Sequence, residues 1–303
     1  MIEKEVIDMM DGFVPALGTP LDKNGNLVED SLQKQIEDQI RAGAVGLLCM
    51  GSMGIQAFIR NDVYPQVAKA AVEAAAGRVP VYVGAMDTSI ARAKERMAAV
   101  EDLDIAGFVF TAPYYSPASS DQMMRFFKGV AAATKHQVLL YDLPGVTQCK
   151  ITYDMVLELI RNVPNMAGIK SADLQMFRKL KLNPEVPENF IMVYSGLDTF
   201  DIAYKWGITN CLDGMLSCTP ANTKKMFAAM SEGDYGIAAE CLNRIVALRD
   251  FFVSHDLWPS FTAAMNLLGY EGIYGPDYVA EVQPASVEEI RQEMNRIGEL
   301  TLG

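Results

Sequence analysis

Residues that build metal and cofactor sites are scarce in this chain. Its 303 residues include only two histidines, His136 and His255, and its cysteines show no CxxC spacing. Tetrahedral metal sites need such ligands at short, regular spacings. No GxGxxG follows an apolar run and no GxxxxGK[ST] occurs, so the usual phosphate-cradling loops are also missing. We therefore expect no metal and no nucleotide cofactor.

Disulfide and export signals are lacking as well. The number of cysteines is odd and their positions are scattered, which does not fit a disulfide framework. The first residues, Met1-Ile2-Glu3-Lys4-Glu5, show no basic segment followed by an apolar one. We expect a cytoplasmic protein with five buried free thiols, at Cys49, Cys149, Cys211, Cys218 and Cys241.

Positive charge and long apolar runs are also in short supply. The chain has 26 basic residues against 38 acidic ones, a net charge of -12, and no run of clustered lysine and arginine. This balance argues against a nucleic acid or an anionic membrane surface as a partner. The longest apolar runs are far shorter than the span that a bilayer requires. We therefore expect small molecules as the partners.

What the chain does contain is a regular alternation of apolar runs and amphipathic stretches. The stretch 29–42 places Leu32, Ile36 and Ile40 on one helical face and closes at Gly43. Similar helices are predicted at 61–77, opened by Asn61, and at 88–103, opened by Thr88. The apolar runs between such helices resemble strands that are covered on both faces. Eight of them occur, at 12–20, 45–50, 80–84, 106–111, 137–142, 166–170, 190–195 and 210–216.

Eight strand-helix units in about 220 residues predict a closed (β/α)8 barrel rather than an open doubly wound sheet. After Pro220 the strands stop, and helices are predicted at 220–231, 234–254, 257–268 and 286–300. The first of these can complete the barrel. We predict a barrel over 1–231 and a helical extension over 232–303, packed together as one structural unit.

The chemistry of such a barrel lies at the carboxyl ends of its strands. Lys170 ends the apolar run 166–170, where burial disfavours the charged form of an amine and a neutral amine can add to a carbonyl. Taken alone, this stretch favours an alternative, a lysine that leaves the core with a solvated head. Its neighbours favour imine chemistry, because hydroxyl groups surround it and no histidine or metal set does. The strand-end candidates are Thr19, Gly51, Ser52, Met53, Gly54, Tyr114, Tyr115, Tyr141, Lys170, Gly196, Asp198 and Ser217.

Four short motifs at these strand ends occur in the order seen in a known family. They are Gly51-Ser52-Met53-Gly54 for G-[ST]-T-G-E, Pro113-Tyr114-Tyr115 for PYY, Tyr141-Asp142-Leu143-Pro144 for Y-N-x-P, and Gly168-Ile169-Lys170 for GIK. From about Gly12 to Gly272 the chain resembles the pyruvate-dependent class I aldolase family, which includes N-acetylneuraminate lyase and dihydrodipicolinate synthase. The resemblance implies a (β/α)8 barrel with three C-terminal helices, usually assembled as a homotetramer, a dimer of dimers.

The resemblance also implies roles for individual residues. Lys170 would form the Schiff base, and Tyr141 would be the proton shuttle beside it. Ser52 and the backbone N–H groups of Ser52 and Met53 would hold the carboxylate of pyruvate, in a turn shaped by Gly51. Tyr115 would reach across a dimer interface into the neighbouring site, although rim or interface packing is the alternative for the tyrosine pair. Contacts to the rest of the substrate would come from Gly196, Asp198 and Ser217.

The motifs depart from the family pattern at several positions. Ile55 replaces the glutamate and Met53 the second threonine, which weakens a hydroxyl relay but keeps the backbone N–H groups. Val146 stands where dihydrodipicolinate synthases carry an arginine for the second substrate's carboxylate, so we do not expect that specific activity. Asp142 replaces an asparagine, and we expect it to bond backbone at the strand end.

Three functional hypotheses follow. The first is a lyase that cleaves a 4-hydroxy-2-oxo acid, such as a 2-keto-3-deoxy sugar acid, to pyruvate and an aldehyde, or catalyses the reverse reaction. The second uses the same lysine to dehydrate or decarboxylate a 2-keto acid. The third is a barrel that binds 2-keto acids but has lost turnover, which the residues Met53 and Ile55 suggest.

Overall fold

The computed structural model describes residues 11–300 and shows a closed barrel of eight parallel strands. The strands pair in the order β1-β8-β7-β6-β5-β4-β3-β2, and a parallel bridge between Ala16 and Leu48 joins the two edges. The predicted (β/α)8 fold is therefore confirmed, and each strand falls at one of the predicted apolar runs. The strands are β1 (Phe13–Pro15), β2 (Leu47–Cys49), β3 (Val81–Gly84), β4 (Gly107–Thr111), β5 (Gln137–Tyr141), β6 (Met166–Ser171), β7 (Ile191–Tyr194) and β8 (Cys211–Asp213).

Helices alternate with the strands and then continue alone to the end of the described chain. No helix within residues 11–300 is long and apolar enough to pass through a bilayer. The helices are α1 (Glu29–Ala42), α2 (Tyr64–Ala75), α3 (Ile90–Ala98), α4 (Ser120–Ala131), α5 (Pro144–Thr147), α6 (Tyr153–Asn162), α7 (Leu174–Leu182), α8 (Phe200–Lys205), α9 (Pro220–Glu232), α10 (Tyr235–Ser254), α11 (Leu257–Leu267) and α12 (Pro284–Arg296).

Two predicted helix starts are wrong, and local hydrogen bonds explain one of them. The helix α1 matches its predicted bounds, with Gly43 left-handed after its last residue. The helix α2 starts three residues later than predicted, because Asn61 lies in a preceding turn. The helix α3 is capped by Ser89, whose hydroxyl accepts the Arg92 N–H at 3.3 Å, because the Thr88 hydroxyl is turned to the Asp87 carboxylate at 3.3 Å.

The strands bury apolar side chains on both faces, which explains why their sequences are nearly continuous apolar runs. Inside the barrel, Leu48, Val109, Leu139 and Val193 pack into one apolar cluster. On the outer face, residues such as Leu140 pack with the helices in a second, larger cluster. Because side chains fill the barrel interior, substrate access is confined to the strand ends.

The C-terminal helices α10, α11 and α12 pack onto the barrel. The buried carboxylate of Glu299 accepts the backbone N–H groups of Ala221 and Asn222, at 3.0 and 2.8 Å, at the start of α9. Burial raises the pKa of Glu299, and these hydrogen bonds act in the opposite direction. The helix α10 packs against α9 and against the turn that follows β7, which brings one of its side chains to the carboxyl end of the barrel. The boundary between 231 and 232 stays a prediction.

Candidate active site

Lys170 and Tyr141 lie side by side at the carboxyl ends of β6 and β5. The two residues are register partners in adjacent strands, and the Lys170 Nζ lies 3.9 Å from the centroid of the Tyr141 ring. Tyr141 belongs to the apolar cluster inside the barrel. Lys170 is only 5% exposed, so the alternative of a solvated head does not hold. The structure thus places an amine above an aromatic ring at the mouth of the barrel.

A strained glycine turn after β2 faces this pair. Met50 and Ile55 on either side of it have φ values of 55° and 47°, in the left-handed region that non-glycine residues rarely adopt. A Cβ on Gly54 would come within 2.8 Å of the Met50 Cα, so the turn requires glycine there. The Ser52 hydroxyl donates to the Tyr141 hydroxyl at 3.4 Å. The turn therefore brings Ser52 to the Lys170 and Tyr141 pair.

The same turn presents free backbone donors. Within residues 11–300, the N–H groups of Ser52 and Met53 donate to no protein acceptor, whereas those of Ile55 and Gln56 bond back to Ser52 and Gly51. Consecutive unpaired N–H groups in a tight turn form a small concavity that suits an anion. A carboxylate can be held here without a charged side chain.

Two of the residues that depart from the motif pattern, Met53 and Ile55, have different surroundings. The Met53 side chain lies over Gly214, just after β8, where an added Cβ would be 2.1 Å from the Met53 Cγ. Ile55 is 1% exposed and packs in the outer apolar cluster. Neither residue supplies a hydroxyl or carboxyl group, so a proton relay through Ser52 and Tyr141 gains no third group from these positions.

A charged network supports the ends of β5 and β6 next to the pair. The Asp142 carboxylate accepts the Ser171 hydroxyl at 2.8 Å, the Ile151 backbone N–H at 3.0 Å and the Lys150 ammonium. Lys150 also pairs with Asp173 at 3.0 Å. Partial burial acts to lower the pKa of Lys150. The hydrogen bonds to Asp142 and Asp173 outweigh this effect, so the pKa of Lys150 is raised. Asp142 bonds backbone as expected, and it also joins this ion-pair network.

Replacing Asp142 is expected to loosen this support. Asp142→Ala leaves the buried Ser171 hydroxyl and the Ile151 N–H without their acceptor and should lower the free energy of unfolding by about 2–3 kcal/mol. Asp142→Asn keeps an acceptor and should cost about 1 kcal/mol. Chemical denaturation of both variants measures the difference. Equal losses would show that hydrogen bonding at this position does not support the strand ends.

Asp198 follows β7 and is held by an arginine from the extension. Arg249 on α10 donates from Nη1 and Nη2 to the two carboxylate oxygens of Asp198, at 2.7 and 2.8 Å. These bonds lower the pKa of Asp198. Gly196 lies beside this turn, where a Cβ would come within 2.5 Å of the Tyr194 hydroxyl. The carboxyl end of β7 therefore carries a fixed carboxylate.

Other predicted site residues lie elsewhere. Ser217 is fully buried and donates to the Gly214 carbonyl at 2.6 Å, which gives no support to its predicted contact with substrate. Thr19 is also buried and donates to the Gly54 carbonyl at 2.7 Å, so it braces the glycine turn. Tyr115 is 90% exposed in the single chain. Its predicted role in a neighbouring site stays a prediction.

Two groups near the site escaped the sequence reasoning. Asp213 is the last residue of β8, and its carboxylate accepts the Met215 N–H at 2.9 Å. Burial raises the pKa of Asp213, while the positive charge of Lys170 acts to lower it. Its strand-end position would have revealed it. Arg249 had no such signal, because it lies on helix α10, 51 residues after Asp198.

Comparisons with known proteins agree with this architecture. The model of the Dihydrodipicolinate synthetase family matches residues 9–294. The 4-hydroxy-tetrahydrodipicolinate synthase of Neisseria meningitidis serogroup C is 30% identical over 246 residues, covering 80% of this chain and 83% of that protein. The enzyme of the same name from Acidiphilium cryptum is 28% identical and covers 96% and 99% of the two chains.

A solved structure shares the fold at lower identity. Proteus mirabilis N-acetylneuraminate lyase superposes with a TM-score of 0.87 at 17% sequence identity. The match covers 96% of this chain and 100% of the lyase chain. Because the family match extends over nearly the whole chain, this protein belongs to the dihydrodipicolinate synthetase family, and it is an enzyme of the class I, Schiff-base aldolase and lyase type.

Proposed function

We propose that Lys170 forms a Schiff base with the 2-keto group of a 4-hydroxy-2-oxo acid, such as a 2-keto-3-deoxy sugar acid. The enzyme cleaves this substrate to pyruvate and an aldehyde, or joins the two in reverse. One observation carries the proposal: a 5% exposed lysine has its Nζ 3.9 Å from the ring of Tyr141. A shielded amine next to a phenolic proton donor is the arrangement that imine formation requires.

The first half of the reaction uses both groups. The Lys170 amine adds to the keto carbon, and the Tyr141 hydroxyl gives its proton to the hydroxyl that leaves as water. The products of this step are an iminium and a Tyr141 phenolate. The phenolate then takes the proton of the substrate's C4 hydroxyl, the C3–C4 bond breaks, and its electron pair moves into the iminium to give an enamine and a free aldehyde.

The second half restores the enzyme. Tyr141 returns its proton to C3 of the enamine, which becomes the methyl group of the pyruvoyl iminium. Water adds to the iminium carbon and Lys170 leaves as the amine, with the water's proton passing to the phenolate. Atoms and charges balance without any further reactant, and Ser52, whose hydroxyl bonds that of Tyr141, supports these proton movements.

The glycine turn is the proposed site for the carboxylate of the substrate. The unpaired N–H groups of Ser52 and Met53 can each donate to a carboxylate oxygen. Gly51 shapes the turn, since a Cβ there would come within 2.9 Å of the Leu48 Cδ2. Methionine in place of threonine leaves these backbone donors unchanged. The turn thereby holds the keto acid half of the substrate by its carboxylate and makes no contact with the C3–C4 bond that is cleaved.

The second substrate distinguishes this proposal from the activity named for the curated relatives. A synthase that condenses pyruvate with a carboxylate-bearing aldehyde needs a cation beyond the pyruvoyl pocket. Val146, 58% exposed on α5, supplies none. We therefore favour a sugar-acid substrate. We further propose a homotetramer, a dimer of dimers in which Tyr115 enters the neighbouring site, working in the cytoplasm, where the five buried thiols stay reduced.

Borohydride trapping tests the proposal. The protein is incubated with pyruvate, reduced, and digested, and a mass increase is expected on the peptide that contains Lys170. Turnover is then measured on 2-keto-3-deoxy acids of different chain length with a pyruvate assay. Pyruvate release supports the lyase, whereas consumption of keto acid without pyruvate favours a dehydratase or decarboxylase. Trapping without turnover of any substrate contradicts the lyase proposal.

A further inference from the structure

Gly214 directly follows β8, and its backbone conformation does not explain why a glycine stands there. Its φ of -70° and ψ of -31° are right-handed values that any residue adopts. The residue is buried, and its carbonyl accepts the backbone N–H of Ser217 at 3.1 Å and the Ser217 hydroxyl at 2.6 Å. These bonds hold Gly214 in one place. Space, rather than backbone freedom, is therefore the reason for a glycine at this position.

The space at Gly214 is taken up by Met53 of the glycine turn. A Cβ on Gly214 would come within 2.1 Å of the Met53 Cγ, 2.9 Å of the Met53 Cβ and 3.4 Å of the Met53 Sδ. The Met53 Cβ is fixed by the backbone, so rotation of the side chain cannot relieve the whole clash. Any side chain at position 214 would therefore push on the turn itself.

The glycine turn needs support from its surroundings. The residues on either side of it are left-handed without being glycine, and such strain persists only where neighbouring structure holds it. From the loop after β1, the Thr19 hydroxyl donates to the Gly54 carbonyl at 2.7 Å. From β8, the support comes from the contact between Gly214 and Met53. Met53 has no hydroxyl to donate, so it secures the turn by packing.

This packing bears on the free donors of the turn. The N–H of Met53 is one of the two that donate to no protein acceptor within residues 11–300. The N–H and the Cβ of Met53 are joined through the same Cα, so a Cβ fixed against a rigid neighbour also fixes the direction of the N–H. Donors that are held in place before binding lose little freedom when an anion arrives, and they bind it more tightly for that reason.

Resting on the proposed function, we infer that Gly214 is a positioning residue for the carboxylate of the keto acid. By leaving room for the Met53 side chain, it keeps the N–H groups of Ser52 and Met53 directed at that carboxylate. Gly214 acts through Met53 rather than on the substrate. The methionine, which brings no hydroxyl group to the site, serves it through packing.

Pyruvate and methyl pyruvate test the inference, since they share a keto group and differ by one negative charge. Borohydride labelling of Lys170 is measured against the concentration of each probe. Gly214→Ala should raise the half-saturating concentration of pyruvate by about 10- to 100-fold, because hydrogen bonds to a charged group are weakened. For methyl pyruvate, which has no carboxylate, the change should stay below about threefold. Equal weakening for the two probes would show general damage and overturn the assignment.

A double-mutant cycle shows whether Gly214 acts through the methionine. Met53→Ala removes the Cγ and Sδ that a Cβ at position 214 would meet, so Gly214→Ala should cost less pyruvate affinity in this background than in the wild type. Equal costs in the two backgrounds contradict the inference. Met53→Ala alone only removes atoms and should weaken pyruvate selectively by several-fold. Should Gly214→Ala fail to fold, Met53→Ala decides the question, and an unchanged affinity for pyruvate counts against the inference.

Gly236→Ala on α10 is the matched control. Among the described residues, its added Cβ would meet nothing closer than the Asp234 Oδ1 at 3.5 Å, so the variant should behave as wild type with both probes. The wild type separates this inference from the proposed function. If pyruvate does not label Lys170 in the wild type, the proposed function itself fails. If the wild type is labelled and Gly214→Ala has an unchanged half-saturating concentration of pyruvate, only the inference about Gly214 is wrong.

Discussion

Lys170→Ala is expected to lower kcat/KM by roughly 10⁴- to 10⁶-fold, the range seen when a covalent nucleophile is removed. No other group in the described site can form an imine at the same place, since the Lys150 ammonium is held by Asp142 and Asp173. The variant should also lose all borohydride-dependent labelling by pyruvate. Steady-state kinetics and mass spectrometry of the intact protein measure the two effects together.

A matched lysine controls for general effects of the substitution. Lys179 lies on α7, the helix that follows β6, and its side chain is exposed. Lys179→Ala should retain wild-type turnover and labelling. Circular dichroism should show Lys170→Ala to be folded, because the substitution removes one side chain from a large core together with a polar group that is costly to bury. Pyruvate labelling that persists in folded Lys170→Ala would rule out this residue as the Schiff-base lysine.

Tyr141→Phe should reduce kcat by about 10²- to 10⁴-fold, the usual contribution of a positioned acid or base. The substitution keeps the ring over which the Lys170 Nζ lies, so binding and long-incubation labelling by pyruvate should survive. What is lost is the hydroxyl that moves protons during dehydration and bond cleavage. Rapid-quench measurement of imine formation, together with kcat, separates these steps.

Tyr82 offers a matched control in the same barrel interior. Its hydroxyl is buried and has no hydrogen-bond partner among the described residues, and burial raises the pKa of this phenol. Tyr82→Phe removes an unsatisfied polar atom, so activity should stay near that of wild type and stability should not fall. A Tyr141→Phe enzyme within about tenfold of wild-type kcat would contradict the assigned role.

Much of the fold could be predicted because its signals are local. A strand covered on both faces must be apolar throughout, and this rule located all eight strands. Helix starts were less predictable, because two neighbouring hydroxyl groups can serve as the cap of α3, and the contact of Thr88 with Asp87 leaves this role to Ser89. The direction of barrel strands then limits the chemistry to one end of the sheet, which made Lys170 and Tyr141 candidates before the structure was known, and the family resemblance then paired them.

The sequence by itself determined the closed barrel and placed Lys170 and Tyr141 among the strand-end candidates, because both follow from apolar periodicity and strand direction. Their pairing as Schiff-base lysine and proton shuttle was implied by the resemblance to the family. Only the tertiary structure decided that Ser217 turns into the core and that Arg249 fixes Asp198 across 51 residues of chain. Contacts of that kind depend on how a helix from far along the chain packs against a strand end, and local sequence patterns do not predict this packing.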